Sequence, residues 1–167
     1  MQEISRAVAA INILDDYLSG CPLEKALKKW FKINRFAGSS DRKNIRDLVF
    51  DILRKRLILY YPFQINEYVE NGRILVLSYL YLYKKASFSL EDIKKNKYLS
   101  PAIKKEEVII LNNINKLVKK APRNISLNYP KFLEKKLSQS LGNNFNTIME
   151  FFMKRAPVYL RINQNKV

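Results

Sequence analysis

Five apolar side chains fix what the middle of this chain can become. Ile45, Leu48, Val49, Ile52 and Leu53 fall at i, i+3, i+4, i+7 and i+8, the repeat of a helix that buries one face. The stretch that carries them, Arg35 to Arg56, starts with a small polar turn at Gly38-Ser39-Ser40 and sets Asp41 where an N-cap belongs. Asp47 and Asp51 each have a lysine four positions away, Lys43 and Lys55, which predicts ion pairs on the wetter side. The expectation is a capped helix of roughly five turns at the centre of an all-α bundle.

The same period extends through about the first 125 residues. Ile4, Val8, Ile11, Leu14 and Leu18 predict a helix from about Glu3 to Leu18, stopped by Gly20. Pro22 suits the start of a second helix, in which Leu23, Ala26, Leu27, Trp30 and Phe31 point inward. After the central helix, Tyr60-Tyr61-Pro62 breaks the pattern and predicts a loop of about ten residues. Asn71 or Gly72 then opens a helix through Leu82 that is apolar nearly all round, which implies burial among other helices. Its tyrosines interleave with leucines and read as core, not as a stacking platform. Ser89 and Asp92 resemble a capping box for a short helix ending near Lys97, and Pro101 closes a loop. Val108, Leu111, Ile114, Leu117 and Val118 predict a helix from about Lys105 to Lys119, ended before Pro122.

Beyond Pro122 the character changes. Asn124 to Asn128 read as extended, Pro130 opens a helix with Phe132, Leu133 and Leu137 that stops near Gly142, and Ile148, Phe151 and Phe152 belong to another. Val158 to Ile162 favour a strand. The fold class expected is therefore all-α, with a short C-terminal helix-plus-strand extension.

Composition removes whole classes of chemistry. The chain has no histidine and one cysteine, Cys21, which excludes Cys/His zinc sites, histidine general bases, Ser-His-Asp triads and internal disulfides. A reducing cytoplasm is the expected compartment. No run of about 18 apolar residues exists, so no membrane partner is expected. The net charge is +16, a value that favours polyanions through counterion release. Two basic clusters lie close in sequence. Lys25, Lys28, Lys29 and Lys32 share the outer face of the second helix, and the stripe runs towards Arg35 and then Arg42, Lys43 and Arg46. Cations in the first turns of a helix oppose its dipole, so Arg42, Lys43 and Arg46 are candidates for a bound anion's partners. Arg54, Lys55 and Arg56 sit where the dipole favours them and need no ligand.

The motif Arg35-Phe36, Gly38-Ser39, Asp41-Arg42, followed by Ile45, Leu48-Val49 and Leu53-Arg54, resembles the N-terminal NusB-like domain of the bacterial ribosomal RNA cytosine-5 methyltransferases, the Sun, RsmB or Fmu family. A second stretch is similar to that family's passage towards its catalytic region: Tyr129-Pro130-Lys131-Phe132-Leu133, Leu137, Gly142 and Ala156-Pro157-Val158-Tyr159-Leu160-Arg161-Ile162-Asn163. The two matches occur in the family's order and cover most of the chain. The resemblance implies a NusB-like helical RNA-binding domain over 1–125. Over 126–167 it implies the start of a linker leading to a methyltransferase domain that this chain lacks. It further implies ribosomal RNA and that methyltransferase domain, in the same or a companion chain, as partners. S-adenosylmethionine and a cysteine nucleophile would belong to the catalytic portion. The four glycines here are scattered, and Cys21 precedes a proline whereas the family's catalytic cysteines follow one. No catalytic residue, cofactor or metal is therefore expected in this chain.

The function expected is an RNA-binding accessory domain of a ribosomal RNA methyltransferase, inactive by itself, with Lys25, Lys28, Lys29, Lys32, Arg35, Arg42, Lys43 and Arg46 as the RNA surface. A stand-alone NusB-like antitermination factor and a helical protein-interaction module are the alternatives.

Overall fold

A computed structural model describes residues 1–84 and 104–164. In chain order the helices are α1 (Glu3–Leu18), α2 (Leu23–Ile33), α3 (Ser39–Leu53), α4 (Arg56–Gln64), α5 (Gly72–Tyr83), α6 (Lys105–Val118), α7 (Arg123–Ser126), α8 (Glu134–Leu141) and α9 (Phe145–Phe152). Single 3-10 turns at Lys131–Leu133 and Gly142–Asn144 precede α8 and α9. The described residues are all-α and contain no strand. The capping box at Ser89 and Asp92 and the loop at Pro101 lie outside them.

The hub is α1, not α3. It packs against α2, α3 and α5, and it can do so because Ala7, Ala9 and Ala10 keep its buried surface shallow beside Ile13 and Leu14. Around it close Ala26 and Leu27 of α2, Ile45, Val49 and Ile52 of α3, and Leu75, Val76, Tyr79 and Leu80 of α5. The other side of α5 supplies Ile74 and Leu77 to a second cluster with Phe63 of α4 and Ile110, Leu111 and Ile114 of α6. Helix α5 is thus a wall shared by two layers, as its all-round apolar sequence requires.

Two glycines are used for geometry no other residue supplies. Gly20 ends α1 at φ 100°, in the left-handed region, and its amide and that of Cys21 return to Tyr17 and Asp16 carbonyls. Gly72 sits where α5 meets α1. A Cβ there would lie 2.5 Å from the Ile11 carbonyl oxygen and 3.0 Å from Asp15 Oδ1. The Gly72 amide donates to Asp15 Oδ1 at 2.6 Å, and Asn71 caps the same helix by accepting from Ile74 N at 2.9 Å.

Several expectations give way. Helix α3 starts at Ser39 with Gly38 as N-cap and runs 15 residues, so Asp41 lies inside the first turn and does not cap it. Asp51 pairs with Arg54, not Lys55, and Asp47 pairs with Arg155, not Lys43. Tyr60-Tyr61-Pro62 does not break the helical pattern but forms the body of α4, with Pro62 buried inside the helix, and the expected loop follows only from Ile65. An interior proline costs about 3 kcal/mol, and burial of Ile58, Leu59 and Phe63 around it offsets that loss. The segment predicted as extended, Asn124 to Asn128, holds the single turn α7. Asn128 follows it at φ 53°, and its Oδ1 accepts from Leu57 N at 2.8 Å, in the first turn of α4. The C-terminal part has its own small core of Leu127, Tyr129, Phe145 and Met149. The expected strand is absent. Val158, Tyr159, Leu160 and Ile162 are exposed and outside regular structure, since no neighbouring strand takes their backbone groups.

Two substitutions test this packing. Ile52 is fully buried, whereas Leu48 is half-buried beside a surface cavity. Ile52→Ala should cost about 2–5 kcal/mol in denaturant unfolding and Leu48→Ala clearly less. Gly72→Ala forces a methyl into a backbone carbonyl and should cost roughly 1–3 kcal/mol or more. An unchanged midpoint for Gly72→Ala would mean that α1 and α5 are further apart than described.

Candidate nucleic-acid interface

Helix α2 presents its basic residues as the sequence implies. Its buried side is Ala26 and Leu27 with Leu23, Trp30 and Phe31 packed beside them. Lys25, Lys28, Lys29 and Lys32 are exposed on the opposite side. Lys29 is committed, because its ammonium donates to Asp16 of α1 at 2.9 Å, and that hydrogen bond raises its pKa. Lys25, Lys28 and Lys32 make no ion pair among the described residues.

The turn from α2 to α3 is closed by side chains. Asn34 ends α2 by donating from Nδ2 to the Trp30 carbonyl at 2.9 Å. Ala37 is buried, and its carbonyl accepts from Arg42 Nε at 2.8 Å. The Arg42 guanidinium then lies over the Phe31 ring, 5.6 Å from its centroid. Arg42 therefore staples the first turn of α3 to the end of α2, which is a structural duty. Asp41 next to it accepts from the Met1 amino group at 3.1 Å and from Arg6 at 2.9 Å. Those hydrogen bonds, the amino group's first and then Arg6's, hold the Asp41 carboxyl below its ordinary value of 3.8.

The structure brings the two basic stretches together at this corner, through the Phe31–Arg42 contact. It also divides the eight candidates. Arg42 and Lys29 have partners in the fold. Lys25, Lys28, Lys32, Arg35, Lys43 and Arg46 are exposed and have no ion pair among the described residues. Because α3 begins at Ser39, Lys43 and Arg46 lie beyond its first turn, where the helix dipole opposes them little. Another side of α3 carries both signs of charge. A cavity of about 270 Å³ there is lined by Glu3, Asp47 and Asp51 together with Arg6 and Lys84. There burial, then Asp51, pushes the Tyr79 hydroxyl up to about 12.

Each glycine has a place in the backbone: two end helices at positive φ, one caps α3 and one admits α1. Among the described residues no group of three or more His, Cys, Asp and Glu could hold a metal, and no helix is long and apolar enough to cross a membrane.

Sequence reasoning missed the Arg42 staple and the Arg6–Asp41 pair, since both depend on which helices adjoin. It also missed the exposed aromatic side of the corner. Ile33 and Phe36 are each 71% exposed, and the signal for them was two large apolar residues among lysines and turn residues.

Asp41 gives a pH test. Its folded-state pKa is depressed, so its contribution is complete above the ordinary carboxylate value and is lost as pH falls through the folded value. Asp41→Asn should lower stability at neutral pH, and the gap from wild type should narrow below about pH 4 in denaturant melts. A gap independent of pH would assign the loss to packing.

No protein-family model, curated protein or solved structure matches this chain.

Proposed function

We propose that this chain is an RNA-binding accessory domain, acting in the cytoplasm on ribosomal RNA and serving a cytosine-5 methyltransferase domain. The observation that carries the reading is the division of cations at the α2–α3 corner. Arg6, Arg54, Arg56, Arg73 and Arg155 are each paired with a carboxylate. Lys25, Lys28, Lys32, Arg35, Lys43 and Arg46 have no such partner among the described residues. Folding does not require these six charges, and a phosphate backbone gives them a use. The NusB-like resemblance at Arg35–Arg54 supports ribosomal RNA as the polyanion. The resemblance at Tyr129–Asn163 supports a methyltransferase domain as the neighbour, and S-adenosylmethionine would be held there. Phosphate contacts position without reading sequence, so target choice falls to the catalytic partner. A NusB-like antitermination factor has less support, because the separate small core around Tyr129 and Phe145 lies beyond what such a bundle needs.

The test is a titration of a ribosomal RNA fragment at several salt concentrations. Wild-type affinity should fall steeply with salt. Lys28→Ala/Lys32→Ala/Lys43→Ala/Arg46→Ala should keep its melting profile, since exposed unpaired residues change stability little. The variant should flatten the salt slope by up to roughly 3 log units per log unit of salt, about 0.7–0.9 for each phosphate no longer neutralised. An unchanged slope and affinity would move the interface, most directly to Lys116, Lys119 and Lys120. No binding of wild type at low salt would leave a protein-interaction module.

A further inference from the structure

Beside the basic corner, the first half of α1 and the end of α2 leave a groove of about 560 Å³. Its apolar surface is Ile4, Val8 and Ala9, with the Met1 side chain, on one side and Trp30, Ile33 and Phe36 on the other. Phe36 is 71% exposed and held edge-to-face against Trp30, ring centroids 6.4 Å apart. That contact fixes the ring's orientation while leaving most of it in water. Water is a poor resting place for a phenyl ring on a polar turn, and the burial of Ala37 next to it shows that the turn itself is well packed.

The rest of the groove is polar but uncharged. Gln2, Ser5 and Asn12 line it, and their side chains have no hydrogen-bond partner among the described residues. Asn34 donates to the Trp30 carbonyl and keeps its amide oxygen for another donor. No carboxylate lines the groove. Asp16, one turn beyond Asn12, is neutralised by Lys29, and Asp41 is engaged by Met1 and Arg6. Lys32 and Arg35, the chain neighbours of Ile33 and Phe36, are exposed cations.

An aromatic face, unpaired amides and flanking cations, with no negative charge, is the chemistry of single-stranded RNA recognition. There unpaired bases stack on aromatic rings and offer their edges to amides. We propose that this groove takes an unpaired nucleobase of the RNA, stacked on Phe36, with its edge towards Asn12 and Asn34 and its flanking phosphates on Lys32 and Arg35. The volume lies within the range of small-ligand sites, about 300–1,000 Å³, and admits a base with its ribose. A duplex cannot present a base in this way, so the groove would select looped or single-stranded segments. The inference rests on the RNA-binding reading above and names the form of RNA that the corner prefers.

Trp30 is the only tryptophan of the chain, so its fluorescence reports on the groove. The experiment titrates the whole chain with a single-stranded RNA oligomer and with the duplex of the same sequence, at one low salt concentration. It compares wild type, Phe36→Leu and Phe36→Tyr, with thermal melts as the folding control. Leucine keeps an apolar contact with Trp30 but removes the ring, whereas tyrosine keeps the ring. The expected result is tighter binding of the single strand than of the duplex, with a change in Trp30 emission on single-strand binding only. Phe36→Leu should lose on the order of tenfold for the single strand and little for the duplex, and Phe36→Tyr should retain wild-type affinity. Equal affinities for the two RNAs, unaltered by Phe36→Leu, would overturn this inference and leave the phosphate-binding corner standing. No binding of either RNA by wild type would overturn both, and would leave the groove to an apolar segment of a protein partner.

Discussion

The amide of Gly72 lies 2.6 Å from Asp15 Oδ1, and the absence of a side chain there lets the first turn of α5 rest on the Ile11 carbonyl. Much of the bundle follows from that approach. It sets the distance between α1 and α5, and α5 in turn contributes to both apolar layers. Leu75, Val76, Tyr79 and Leu80 face α1 and α3, while Ile74 and Leu77 face α4 and α6. A shift of α5 would open both layers at once, because close-packed interiors do not absorb an ångström of displacement. The alanines of α1 serve the same end, allowing three helices to share it as their common support.

Charge is distributed by residue type as well as by place. The cations used inside the fold are chiefly arginines: Arg42 on the Ala37 carbonyl and the Phe31 ring, Arg56 on Glu70, and Arg73 on the buried Glu107. A planar guanidinium meets a carboxylate or a ring with little ordering of its own, whereas an ammonium is compact and strongly hydrated. Lysines dominate the unpaired set on α2. Among the described residues the cations therefore form two populations, one engaged in joining helices and one left facing solvent. Only the second shapes the field that an approaching polyanion meets.

The helices were legible because their apolar periods are long and their punctuation is local. Glu3–Leu18, the start at Asn71–Gly72 and the stop at Gly142 each follow from residues within one turn of the boundary. The α4 helix was not legible, because proline is a local signal for a break and the burial that overrides it comes from α5 and α6. Asp41 shows the same limit at the candidate interface. Its position suggests a cap, but the groups it binds stand 35 and 40 residues away. The basic stripe of α2 could be read from spacing alone. That Arg42 is occupied and Phe36 exposed could not, since both depend on how α2 enters α3.

The bond from Leu57 N to Asn128 Oδ1 spans 71 residues, and it gives the chain a temporal order as well as a shape. During synthesis the first turn of α4 leaves the ribosome with this amide served only by water. At about 5–20 residues per second, Asn128 follows several seconds later, long after α1, α2 and α3 can have met. The α4 turn is thus finished by a residue outside the bundle's early helices. Docking of the segment around Asn128 and completion of α4 become one event, so a residue made well after the first three helices also closes the middle of the molecule.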